Sequence, residues 1–278
     1  MQTLTSIAAL REWLAHERGS IGLVPTMGAL HSGHMALVES ARRHCDRVVM
    51  SIFVNPRQFG PGEDFDAYPR DLEGDCALAR AHGVDAVFAP SVQEMYPHPA
   101  GPLIVAGRQA GILCGASRPG HFDGVLQVVC KLFNLVQPER AFFGQKDAQQ
   151  VAIIQTFVRD YNLPLAIEVI PVVREPDGLA KSSRNVYLSA EERAGAPAIH
   201  AALQHCRAQL QAGHAPEAAL QAARALLARQ LPAGRIDYLE LLAWPDLLPL
   251  EADGQQCIAL AAVHLGRTRL IDNITFER

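Results

Sequence analysis

Two apolar runs of strand length, Ile21–Pro25 and Arg47–Phe53, enclose a glycine-containing turn and a helix-forming stretch from about Gly33 to His44. Strand, crossover and strand in that order require a connection long enough to carry the chain back across a sheet. A connection well over about a dozen residues makes the pairing parallel. This βαβ signature restricts the first half of the chain to an open α/β sheet, in which ligands lie beyond the carboxyl ends of strands.

The pattern continues in the same sense. Helices are predicted near Leu72–His82, Gly124–Val136 and Ala148–Tyr161, and strands at Ala86–Ala89, Arg140–Phe143 and Ala166–Val172. Beyond Val173 come Ala-rich helices near Pro197–Gln211 and Glu217–Gln230, then strand-like runs at Asp237–Leu242, Cys257–Val263 and Thr268–Ile271. Helices followed by consecutive strands point to an α+β unit. The expected architecture is a doubly wound, Rossmann-like parallel sheet over residues 1–172 and a smaller α+β C-terminal domain over 173–278.

With 49% apolar and 19% charged residues the chain has ample core material for both units. The formal charge of −4 supplies no basic field for nucleic acid or an anionic membrane, so any anion site must be local. Met1–Leu10 lacks a basic and then apolar leader, and no run is long enough to span a bilayer, which predicts a cytoplasmic location. Six cysteines without a C-x-x-C pair read as reduced, packing thiols.

The sharpest local feature is P-T-M-G-A-L-H-S-G-H, Pro25 to His34, where the first predicted strand gives way to a helix. Backbone N–H groups at a helix start favour a phosphate, and Gly28 and Gly33 permit a tight turn. His31 and His34 lie three apart, so on one helical turn both can donate to a single phosphate chain. Surface decoration and a metal pair compete with this reading. No further ligand stands beside the pair at metal-binding spacing, which favours phosphate over metal.

Three more segments gain meaning beside that loop. Lys-Ser-Ser-Arg at Lys181–Arg184 follows a polar, Gly-containing stretch; alone it is a solvated loop, but two hydroxyls between two cations suit polyphosphate. Phe142–Gln150 crosses from a strand end into a helix and carries Lys146, Asp147 and Gln150, with Asp147 as a helix cap being the bland alternative. Asn55 and Gln58 follow the strand Arg47–Phe53; neutral amides suit a small hydroxy or amino acid, although Asn55-Pro56 is also ordinary turn chemistry.

Taken together the chain resembles the pantoate–β-alanine ligase family of the HIGH-motif nucleotidyltransferase superfamily. The resemblance rests on P-T-M-G-A-L-H-x-G-H, S-I-F-V-N-P-x-Q-F, D-A-Y-P-R, S-R-P-G-H-F-x-G-V, F-F-G-x-K-D, S-S-R-N-x-Y-L and R-L-I-D-N-I, in family order across nearly the whole chain. It implies ATP-dependent condensation of (R)-pantoate with β-alanine through pantoyl adenylate, releasing pyrophosphate and then AMP. The residues implied in ATP binding are Met27, Gly28, Ala29, Leu30, His31, Ser32, Gly33, His34, Gly144, Gln145, Lys146, Asp147, Val173, Lys181, Ser182, Ser183 and Arg184. His34, His31, Lys146 and Arg184 are the implied catalytic groups, with His34 as proton donor. Gln58 and Gln150 are implied for pantoate and Gln58 for β-alanine. Mg²⁺ is expected with ATP, with Asp75 as a candidate ligand, and the family resemblance implies a homodimer with the C-terminal domain as a lid.

Two departures from the family pattern stand out. Lys181 occupies a position where relatives often carry Met or Leu. Cys114 stands where some relatives carry Glu; if that Glu pairs with an Arg in the family, Arg118 is expected to lack that partner. Two rival activities remain at this level: transfer of a nucleotide to a phosphate-bearing acceptor, and nucleotide binding without turnover. The amides at Asn55, Gln58 and Gln150 disfavour the first, because a phosphate-bearing acceptor calls for a second cationic cluster.

Overall fold

The structure is a computed structural model describing residues 1–63, 65–98, 101–251 and 254–278. The chain divides into two compact units, Met1–Gly144 with Ile153–Ile170 and Gln145–Ala152 with Pro171–Arg278. The excursion of Gln145–Ala152 into the second unit has no counterpart in the sequence reading, which runs the first domain unbroken to residue 172.

In the first unit β1 (Gln2–Leu4), α1 (Ile7–His16), β2 (Ile21–Thr26), α2 (Ser32–His44), β3 (Arg47–Ile52), α3 (Leu72–Ala81) and β4 (Ala86–Phe88) succeed one another. The short helices α4 (Val92–Met95) and α5 (Leu113–Ser117) precede α6 (His121–Val136) and β5 (Arg140–Gly144). Helix α7 (Ala148–Asp160) leads to β6 (Ala166–Ile170). The six strands are parallel in the order β1-β4-β3-β2-β5-β6. Ile21–Thr26 is thus the second strand and not the first. The edge strand β1 has three residues, too few to show an alternating pattern, and Ser6 caps α1 immediately after it.

Alternation along the strands sends Val24, Val48, Met50, Val87 and Phe142 to one face, where they pack with Met35, Val38 and Ala41 of α2 and Ala79 of α3. Leu23, Val49 and Phe143 point the other way and are buried too, with Phe133 of α6 edge-on to Phe143. A strand buried on both faces reads as a continuous apolar run, which is why β2 and β3 are visible in the sequence. Fully burying each such side chain contributes about 1.5–3 kcal/mol. Strand order reverses between β2 and β5, so their carboxyl ends, Thr26 and Gly144, flank the crevice where open α/β sheets bind ligands.

In the second unit α8 (Ala190–Gly195), α9 (Ala198–Gln211) and α10 (Pro216–Gln230) precede an antiparallel sheet of β7 (Arg235–Ala243), β8 (Gln256–Leu265) and β9 (Thr268–Glu277). Leu203, Cys206 and Leu210 of α9 and Leu220, Ala223 and Leu227 of α10 form one core with Leu239, Ala259, Ala261 and Val263 of the sheet. The strand β9 runs on to Glu277, six residues past the expected end at Ile271, because the buried Asp272 and Asn273 interrupt its apolar pattern. All six cysteines are free thiols, and burial pushes the Cys206 thiol up to about 11.

Candidate active site

The loop from β2 to α2 is held by its own side chains. Thr26 Oγ1 donates to the Ser51 carbonyl at 2.7 Å and accepts from the Gly28 amide at 3.2 Å. Gly28 and Ala29 both take positive φ, +84° and +50°, and Ala29 does so despite its Cβ. Across from them Asp75, in the first turn of α3, accepts from the Ala29 amide at 2.9 Å and the Leu30 amide at 2.8 Å. His31 is the N-cap of α2: its Nδ1 accepts from the Gly33 amide at 3.1 Å, and His34 Nδ1 accepts from the His31 amide at 3.3 Å. The rings lie 4.1 Å apart between centroids.

This is a capping box in which two imidazoles replace the usual hydroxyl and carboxylate. An imidazole nitrogen that accepts an N–H cannot carry the ring proton, so each neutral ring bears its proton on Nε2. The amides of Gly28, Ala29, Leu30, His31 and Gly33 donate within the protein, and the two imidazoles add their Nε2–H groups to the donors of this loop.

Asn55 and Gln58 flank a 3-10 turn at Pro56–Gln58. Asn55 is fully buried: its Nδ2 donates to Gln58 Oε1 at 3.1 Å and to the Gly124 carbonyl at 3.0 Å, and its Oδ1 accepts from the Arg57 amide and the Tyr96 hydroxyl. Burial pushes the Tyr96 phenol up to about 12, so it remains a donor. Asn55 is therefore a scaffold that orients Gln58, whose Nε2 lies 2.9 Å from Met27 Sδ beside the histidine loop. Gly124 permits this packing, because a Cβ there would sit 2.0 Å from the Arg57 carbonyl oxygen.

With Cys at position 114, Arg118 takes its carboxylate from elsewhere in the chain. Its Nε and Nη2 reach the two oxygens of Glu63 at 2.7 and 2.6 Å, a bidentate pair that holds the Glu63 carboxyl below its ordinary pKa. Glu63 lies 55 residues from Arg118, beyond any local pattern. The neighbouring His121 donates from Nδ1 to the Gln58 carbonyl at 2.7 Å, fixing the backbone of Gln58 as Asn55 fixes its side chain.

Described by itself, the second unit gathers a different set. Gln145 is buried and donates from Nε2 to Asn273 Oδ1 at 3.2 Å, while Asn273 Nδ2 donates to the Gln145 and Lys146 carbonyls at 2.9 and 3.1 Å. Asp272 beside it takes both Nη groups of Arg174, at 2.7 and 2.9 Å. Sequence reasoning missed the roles of Arg174, Asp272 and Asn273; the signal available was R-L-I-D-N-I, where an adjacent Asp and Asn sit between Ile271 and Ile274. Lys146 Nζ lies 3.6 Å from Asp147 Oδ2, and Gln150 follows half-buried in α7. The Lys181 amide donates to the Val173 carbonyl at 2.9 Å, closing a hairpin with an Arg174–Ala180 bridge. Beyond it Ser182 caps a 3-10 turn by accepting from the Arg184 amide, with Ser183 and Arg184 exposed.

Two interlocked imidazoles at a strand-order reversal, with an amide-bearing turn beside them, define a site class; sequence comparison decides the family. The family profile described as Pantoate-beta-alanine ligase matches residues 2–275. The chain belongs to the pantoate–β-alanine ligase family. It is similar to the pantothenate synthetase of Lysinibacillus sphaericus, 61% identical over 99% of this chain and 98% of that one. That of Bacillus subtilis is 50% identical over 100% of this chain and 98% of its own. The crystal structure of pantothenate synthetase from Thermus thermophilus superposes with a TM-score of 0.91 at 48% identity, covering 99% of both chains. The pantoate–β-alanine ligase of Francisella tularensis, solved with β,γ ATP and β-alanine, superposes with a TM-score of 0.80 at 32% identity, covering 99% of this chain and 97% of that one. This chain is accordingly a ligase joining pantoate to β-alanine, and its Rossmann-like sheet with a three-stranded C-terminal sheet is the family architecture. Among the described residues no helix is long and apolar enough to cross a membrane.

Proposed function

We propose that the ligation runs through two half-reactions on ATP. A carboxylate oxygen of (R)-pantoate attacks the α-phosphorus, forming the acyl phosphate bond as the bond to the β-phosphate breaks and pyrophosphate leaves. The amine of β-alanine then attacks the acyl carbon, the bond to AMP breaks and the amine loses a proton. In-line displacement of this kind depends on positioning and charge neutralisation more than on a covalent intermediate with protein.

The observation that carries this reading is the reciprocal capping of His31 and His34, which orients both rings and puts the proton of each on Nε2. In that state His34 and His31 donate to the phosphates, with His34 serving the departing pyrophosphate. We assign Met27–His34, Gly144–Asp147, Val173 and Lys181–Arg184 to ATP, with Lys146 and Arg184 meeting the charge that builds on the leaving group. Gln58 and Gln150 take pantoate, and Gln58 also takes β-alanine; the capture of Gln58 by Asn55 and His121 supports a fixed role. The C-terminal unit, residues 173–278, acts as the lid, and the enzyme works as a cytoplasmic homodimer.

Mg²⁺ enters with ATP and neutralises polyphosphate charge. Among the described residues no group of three His, Cys, Asp or Glu side chains is arranged to hold a metal, and both Asp75 oxygens accept backbone amides. No step is assigned to a protein-bound ion. The test is incubation with ATP, Mg²⁺ and pantoate, which releases pyrophosphate without β-alanine, followed by AMP when β-alanine is added. A protein that releases no AMP with both acids present is not working by this route.

A further inference from the structure

We infer that Asp75 is a positioning residue for His31 and His34, acting through the backbone between β2 and α2; its catalytic meaning rests on the reading of that loop as the ATP site. Two successive left-handed residues turn the chain out of β2, and the second, Ala29, carries a Cβ that opposes this conformation. Something must hold the turn. Asp75 is 7% exposed and directs one oxygen to each of the next two amides, Ala29 and Leu30. These bonds set the peptide planes immediately before His31, whose own amide must aim at His34 Nδ1 for the second ring to be fixed.

The surroundings are shaped for the carboxylate. A Cβ on Gly28 would lie 2.7 Å from Asp75 Oδ2, so only glycine leaves room for it. Asp75 sits in the first turn of α3, where the helix dipole favours an anion. Asparagine in its place keeps one acceptor oxygen but turns an NH₂ group towards the other backbone N–H, replacing a bond with a donor–donor conflict. A role as metal ligand makes a different forecast, because it ties the residue to the ion and not to the rings.

The experiment compares wild type and Asp75→Asn in two ways. Single-turnover pyrophosphate release from ATP and pantoate is followed across a Mg²⁺ titration, and ¹⁵N imidazole spectra of ligand-free protein report the tautomers of His31 and His34. The expected result is a saturating rate lower by about ten- to a hundredfold, an unchanged half-saturating Mg²⁺ concentration, and a shift from the Nε2–H tautomer to a mixture. Adding Ala29→Gly to Asp75→Asn should recover part of the rate, since glycine takes the turn without opposition. A rate within about twofold of wild type, a raised Mg²⁺ requirement with the saturating rate regained, or unaltered tautomers would overturn the assignment. If the variant does not fold, amide exchange in wild type decides: Ala29 and Leu30, outside any helix, must be protected, and rapid exchange there removes the strut. The spectra and exchange use no nucleotide. A wild type inactive with ATP therefore sinks the ATP reading without touching this one.

Discussion

The histidine loop and the Lys181–Arg184 loop, both assigned to ATP in our proposal, rest on opposite kinds of support. In the first, the amides from Gly28 to Leu30, with those of His31 and Gly33, are bonded by Thr26, Asp75 and the two imidazoles. In the second, the stem is held, by Lys181 to Val173 and Asn185 to the Ala180 carbonyl, but the crest is exposed, with Val186 79% and Tyr187 65% accessible. Preset geometry suits donors that must meet developing charge without reorganising. A held stem with an open crest suits a segment that arrives with its substrate, which is how a lid works.

Four variants test that contrast, the largest effect first. Arg174→Ala strips the mostly buried Asp272 of its partner at the base of the hairpin and should cost about 3–5 kcal/mol in chemical denaturation. A loss below about 1 kcal/mol would mean the stem is not held as described. His34→Ala should slow pyrophosphate release by at least about tenfold while the lost cap costs only about 1 kcal/mol of stability. Equal rates would sink the role given to His34. Lys181→Met removes a loose pair with Glu175 at 3.8 Å, worth about 0–1 kcal/mol, and should change pyrophosphate release by less than His34→Ala does. An effect as large as that of His34 would make the second loop as preset as the first.

The smallest effect concerns pH. Burial, reinforced by the charge of Arg174, holds the His200 imidazole below its ordinary pKa even though Asp272 lies 3.6 Å away, and Arg207 acts in the same sense as Arg174. The unfolded chain binds this proton near pH 6.5 and the folded chain only at lower pH. The stabilisation is therefore whole above about pH 6.5 and is lost as pH falls through the folded value. Thermal melts from about pH 7.5 to 5 should show that decline, and His200→Gln should flatten it. Identical slopes in both proteins would remove His200 as the cause.

Whatever repeats along the chain or clusters locally is legible in the sequence. The strands β2 and β3 announce themselves because burial on both faces leaves unbroken apolar runs, and the histidine loop is visible because its residues are contiguous. The three-residue β1 is too short for a pattern. The partners that fix the site lie far away in sequence: Asp75 is 46 residues from Ala29, and Asn273 is 128 from Gln145. The sequence leaves Asn55 open between a substrate amide and ordinary turn chemistry, and the structure has it buried, capping a turn and holding Gln58, since spacing cannot tell an amide that holds a ligand from one that holds its neighbour.

The capping of α2 by His31 and His34 makes the start of a helix out of the side chains assigned to chemistry. Any proton or alkyl group arriving at either Nδ1 removes an acceptor from the backbone as well as changing a ring. The joint is thus a shared failure point: acid or a histidine-modifying reagent that reaches Nδ1 should fray the first turn of α2 in the same event that silences the enzyme. Exchange of either histidine is judged twice, once by the reaction and once by the helix, and a lysine, which can donate but has no acceptor, cannot meet the second demand.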